Sequence, residues 1–109
     1  MQVRFSSHAQ RQLRMLQRYI THQSGYPARA QAYVERIIAF CERLETFPAR
    51  GTPRHDILPG LRIIGFEHRI TIAFMVWHDH VLIEGIFYGG RNPTWSNVTL
   101  RHVLQEHGR

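Results

Sequence analysis

The stretch that decides the fold is RITIAFMVW, residues 69–77. In an extended chain successive side chains alternate between two faces. Ile70, Ile72, Phe74 and Val76 then share one side, and Thr71, Ala73, Met75 and Trp77 share the other. Neither row is polar, so a strand built from it needs cover on both faces. What the rest of the chain can place there sets the architecture.

Two segments of the same period flank it. LRIIGF (61–66) comes before and VLIEGIFY (81–88) after, while the central strand itself runs over 69–78. The links EH and DH are short enough for tight hairpins, so the three strands form an antiparallel meander. QVRF (2–5) alternates as well and adds a fourth strand.

Between them the period changes. Ala9, Leu13, Leu16 and Ile20 recur at steps of four, three and four, one face of a helix. Ser6 or Ser7 caps its start, and Ser7 with Gln10 has capping-box spacing. Gly25 ends it, and Pro27 opens a second helix that runs to about Phe47, where Pro48 stops it. Its apolar stripe is Ala30, Tyr33, Val34, Ile37, Ile38, Cys41 and Leu44; Glu35, Arg36, Glu42 and Arg43 form a solvated face. The short Gly–Tyr–Pro link makes the two helices an antiparallel hairpin. Residues 48–60, with three prolines and two glycines, read as a loop, and a short C-terminal helix is expected over 93–107.

The expected fold is therefore α+β: an N-terminal strand, then a helix hairpin packed on one face of a mostly antiparallel four-stranded sheet, then a short C-terminal helix. One hairpin covers one side of one sheet. The bulkier row, Ile70–Ile72–Phe74–Val76, is assigned to the helices. The row holding Met75 and Trp77 is left for a partner, because an uncovered apolar face marks an interaction site.

Composition bounds the function. The chain has 109 residues, 43% of them apolar, and is read as one domain over 1–109. Its single cysteine excludes an intrachain disulfide. There is no signal-peptide-like start and no run long enough to span a bilayer, so the expected location is cytoplasmic, without membrane contact. Fourteen basic residues stand against eight acidic ones, a net charge of +6, and all fourteen are arginine. The positive balance favours an acidic partner. Arginine stays protonated, so any acid–base chemistry falls to His, Tyr, Asp or Glu. No cofactor and no metal site is expected. HDH (78–80) places two histidines on alternate positions, but at a hairpin turn that Asp79 suits.

The element order, with Phe5, Ala9, Gln12, Leu13, Tyr19 and Ile20, then Ala30 through Cys41, Leu44, Pro48 and Gly51 to Arg54, then GLR (60–62), ITIAF (70–74) and VLIEGIFYGGRN (81–92), resembles the ParE/RelE superfamily of toxins from toxin–antitoxin pairs. It is most similar to ParE. The resemblance implies a toxin neutralised by a cognate antitoxin, in a heterotetramer or a larger complex. ParE-like members are associated with inhibition of DNA gyrase, which makes a protein-binding toxin, not itself an enzyme, the first reading. RelE-like members cleave messenger RNA on the ribosome, which makes an endoribonuclease the second. A member without toxicity is the third.

Each reading has its residues. For a nuclease, the resemblance points to Arg62 and Arg69 as phosphate and transition-state ligands, with Tyr88 or His55 for proton transfer; His68 and Glu84 are further titratable candidates. The lysines of RelE-like members are absent. For partner binding the candidates are Met75 and Trp77 on the second face, Arg91 and Trp95 beyond the last strand, and the helix row Arg11, Arg14 and Arg18. For that row a solvated face is the first reading and a partner contact the second.

Overall fold

A computed structural model describes residues 2–89. The chain starts with β1 (Gln2–Phe5) and turns at once into α1 (Ser7–Ser24). Ser6 makes that turn. Its backbone is extended, its hydroxyl oxygen accepts from the Ala9 N–H at 3.0 Å, and its O–H donates to the Glu84 carbonyl at 3.0 Å. The cap is thus Ser6 and not the Ser7–Gln10 box; Gln10 instead donates from Nε2 to the Phe5 carbonyl at 2.9 Å. Gly25 closes the helix with φ +76°, the left-handed conformation that glycine adopts without a Cβ penalty.

Pro27 is the first residue of α2 (Pro27–Glu42), where its missing N–H costs nothing. The helix ends earlier than the sequence suggests. It tightens into a 3-10 turn, η1 (Arg43–Glu45), which keeps Leu44 buried. The physical reason is that Pro48 restricts only the residue before it. Nothing local in 43–47 sets where the i→i−4 pattern gives way.

Five strands follow the order β1-β5-β4-β3-β2, one more than expected. The addition is β2 (Thr52–Pro53), a two-residue edge within the segment read as loop, paired antiparallel with β3 (Leu61–Phe66). β3, β4 (Ile70–Val76) and β5 (His80–Tyr88) form the expected meander, and β1 lies parallel to β5, with Gln2 opposite His80 and Phe5 opposite Ile83. The turn between β3 and β4 holds Glu67 and His68 at φ +48° and +65°. Arg36 of α2 fixes it, donating from Nε and Nη2 to the two carboxylate oxygens of Glu67 at 3.0 and 3.2 Å.

The helices take the row assigned to them. Ile70, Ile72 and Phe74 join Val81, Ile83 and Ile86 of β5 and Ala9, Leu13, Leu16, Val34, Ile37, Phe40, Cys41 and Leu44 in one buried cluster. Val76 ends this row but is 39% exposed. The β4–β5 register slips between Ala73 and Phe74: Ala73 faces Gly85 and Phe74 faces Ile83, so Glu84 is an extra residue in β5. This bulge keeps both Ile83 and Ile86 on the helix side although they are three apart. Burial holds the Cys41 thiol up at about 12.

Candidate functional site

Two surfaces gather the residues singled out above. The first is the second face of the sheet. Met75 pairs with Leu61 on one side and Leu82 on the other, Ala73 with Ile63 and Gly85, and Thr71 with Gly65 and Phe87. Ala73 and Leu61 are fully buried, while Ile63, Thr71, Met75, Leu82 and Phe87 are half-buried. The helix hairpin packs on the opposite face, and at this one α1 reaches only the β5 edge, where Gln12 lies by Gly85 and Met15 and Tyr19 line a pocket with Phe87. Trp77 stands at its end, 40% exposed, stacked on the His80 ring at 6.0 Å between centroids. The Trp77 N–H donates to the His80 carbonyl at 2.8 Å, and Asp79 Oδ1 lies 2.8 Å from His80 Nδ1. The HDH motif is therefore the β4–β5 turn, and no cluster of three potential metal ligands occurs among the described residues.

The second surface is a cleft of about 520 Å³ where the end of α1, the start of α2 and the β4–β5 end meet. Arg69 and Tyr88 both line it, since Arg69 precedes Ile70 and Ile70 pairs with Tyr88. Tyr19 packs on Tyr88 with ring centroids 5.7 Å apart, and Tyr33, Arg29 and Arg36 complete the wall. The Arg36 guanidinium lies 5.1 Å from the Tyr33 ring centroid. Burial, reinforced by Tyr88 and Glu67, pushes the Tyr33 phenol above its ordinary range. Among the described residues the Arg69 guanidinium has no carboxylate partner. The cleft is cationic and aromatic, and none of the residues lining it is a histidine or a carboxylate.

The other two nuclease candidates lie elsewhere. Arg62 pairs with Phe74, about 13 Å along the sheet from the Ile70 level, four residues at 3.3 Å each. Its Nε donates to the Arg50 carbonyl at 2.9 Å. His55 sits in the 54–60 loop, where its Nδ1 accepts from the Gly60 N–H at 3.0 Å. His68 is in the β3–β4 turn and Glu84 is buried in the bulge. Arg11, Arg14 and Arg18 are exposed along α1. Arg91, Trp95 and the expected helix over 93–107 lie outside the described residues.

Sequence reasoning missed the cleft itself. Tyr19 entered only through the family resemblance, Arg29 carried no reading, Tyr33 was placed in a core stripe and Arg36 on a solvated face. Their one shared signal is a spacing of three to four (Arg29, Tyr33, Arg36), which aligns them on one side of α2.

A helix hairpin on one face of a mostly antiparallel sheet is an α+β architecture. A solved structure described as "Chromosomal ParDE TA system from P. aeruginosa" has this fold: it superposes with a TM-score of 0.71 at 21% identity, covering 81% of this chain and 95% of that one. The profile of the family described as "ParE toxin of type II toxin-antitoxin system, parDE" matches residues 3–93. The chain belongs to that family. A second profile, of a protein of unknown function (DUF2817), matches residues 79–109. No curated protein matches the sequence. No helix among the described residues is long and apolar enough to cross a membrane.

Proposed function

We propose that the protein is a toxin that inhibits DNA gyrase by binding it, and that a cognate antitoxin segment neutralises it by packing on the second face of the sheet. The observation that carries a binding toxin over a nuclease is the scatter of the chemical groups. Cleavage needs base, acid and cationic ligand around one phosphate. Here Arg69 and Tyr88 share a cleft, while Arg62 and His55 are held by backbone contacts in other parts of the fold. The groups in the cleft suit an anion or an acidic segment, and Tyr33, with its pKa raised, is a poor base at neutral pH.

The antitoxin assignment follows from the half-buried apolar row. Met75, Leu82, Ile63 and Phe87 offer a continuous apolar strip, and Trp77 is an aromatic anchor at its end. Purified protein added to a gyrase supercoiling reaction is expected to inhibit it or to trap cleaved DNA. Absence of any effect at saturating protein removes the gyrase target. Trp77→Arg and Met75→Arg are each expected to weaken antitoxin binding at least 10-fold, about 1.4 kcal/mol. Unchanged affinity in a folded variant moves the antitoxin to another surface. Codon-positioned cuts in messenger RNA on induction would instead support the ribosome-dependent nuclease.

A further inference from the structure

The positive charge of this protein is unevenly distributed. Its first carboxylate side chain is Glu35, and before it stand Arg4, Arg11, Arg14, Arg18 and Arg29. The whole of α1 carries no acidic residue. At 100° per residue, Arg11, Arg14 and Arg18 fall within about 60° of one another, diametrically opposite Ala9, Leu13 and Leu16. The stripe therefore points straight out of the molecule. All three arginines are exposed, and among the described residues none has an ion-pair or hydrogen-bond partner for its guanidinium. Several other arginines are engaged: Arg36 with Glu67, Arg54 with Asp56, Arg62 with the Arg50 carbonyl.

The surroundings say what kind of anion fits. A shallow depression of about 470 Å³ runs beside the stripe, lined by Arg14, Gln17, Arg18, Thr21 and His22. Every one of these side chains is polar and none is acidic. Arginine, glutamine and threonine are the side chains that position phosphates. A folded protein partner wants an apolar anchor at the centre of its footprint, ringed by polar groups. This surface has the opposite plan: arginine at the centre, and the exposed Met15 displaced to the flank that faces β5. From Arg11 to Arg18 the helix rises about 10 Å, the span of about three phosphates in one strand of a duplex.

We propose that the outer stripe of α1, Arg11, Arg14 and Arg18, contacts the phosphodiester backbone of duplex DNA without reading its sequence. The gyrase reading gives this contact its purpose, because a toxin bound to gyrase sits beside the duplex that the enzyme holds. The contact itself needs no gyrase and is measured without it.

The test is fluorescence anisotropy of a labelled duplex of about 30 base pairs with the full chain alone, titrated at several salt concentrations. Three neutralised phosphates give log K against log salt a slope near −2.7, so affinity falls about 40-fold between 50 and 200 mM salt. Arg14→Gln with Arg18→Gln removes two contacts and is expected to flatten the slope to about −0.9. Arg43→Gln with Arg50→Gln removes the same charge from a surface where both guanidinium groups lie over Phe40, and is expected to leave the slope unchanged. Circular dichroism checks that both variants fold. Three results overturn the proposal: no binding at low salt, equal loss in the two double variants, or a defect of the α1 variant toward polyglutamate with duplex affinity intact. A supercoiling assay run in parallel with the unsubstituted chain separates the two readings. No gyrase inhibition with the salt slope present removes the gyrase target alone, and inhibition without duplex binding at low salt removes only the DNA contact.

Discussion

Ser6→Ala tests the joint that fixes α1 to the sheet. The Ser6 hydroxyl, on a residue 3% exposed, does two jobs at once. It accepts from the Ala9 N–H as helix cap and donates to the Glu84 carbonyl inside the β5 bulge. Loss of a serine cap costs about 1 kcal/mol. A buried carbonyl left without its donor adds about 1–3 kcal/mol. The sum, about 2–4 kcal/mol, is a large share of the stability of a small domain, about 5–15 kcal/mol. Urea unfolding followed by circular dichroism is expected to show a midpoint lower by about 1–2 M at unchanged slope. Melting is expected to fall by about 10 °C or more. Ser6→Gly separates the two jobs, since glycine at a cap costs only a few tenths of a kcal/mol and the rest of its loss reports the bond to Glu84 and backbone freedom. An alanine variant within about 0.5 kcal/mol of the wild type would refute the double role.

Other outcomes follow from the same structure. The Gln12 side-chain oxygen accepts from the Ile86 N–H at 2.6 Å where β5 has run past the end of β1, so Gln12→Met is expected to cost about 1–3 kcal/mol in a urea titration. Gly51 has φ +77° and an added Cβ would run into the Ile63 carbonyl; Gly51→Ala is expected to destabilise by at least about 1–3 kcal/mol and to expose the Arg54 amide, which donates to the Leu61 carbonyl at 2.7 Å, to hydrogen exchange. The Cys41 thiol, raised by burial to about 12, is expected to resist a thiol reagent at pH 8 until the protein is unfolded. Because its folded pKa lies above its ordinary value of 9.0, the stability from keeping it neutral is complete below pH 9 and is lost as pH rises toward 12. Hydrogen bonding from Arg36 lowers the Glu67 pKa, so this pair contributes above pH 4.5 and is lost on acidification; Arg36→Gln is expected to move the Glu67 NMR titration back up.

Much of this fold is legible in the sequence because periodicity reports burial directly. Ile70, Ile72 and Phe74 read as one row and pack as one, and the Ala9–Leu13–Leu16 stripe meets them. Where the structure departs, the cause is a feature with no periodic signal. A single extra residue, Glu84, reverses the parity of β5 without changing its composition. β2 is two residues long and contains Pro53, so it exists only because β3 offers an edge for it. The choice between Ser6 and Ser7 as cap turns on which of them lies over the Glu84 carbonyl, a contact 78 positions away in sequence. The cleft was hidden for the same reason: Arg69 and Tyr88 come together through strand register, and Tyr19 and Tyr33 through helix packing.

The position of β5 has a consequence for the order in which the protein can be made. It lies between β1 and the rest of the sheet, and it is the strand that α1 rests on. Gln2 pairs with His80, which a ribosome adding about 5–20 residues per second delivers about 4–16 s later. During that interval the first strand and both helices are already synthesised but have no central strand to pack on. The nascent chain thus holds its arginine-rich helix unassembled until β5 appears, and the sheet closes only when its central strand, nearly the last part of the described fold, has been added.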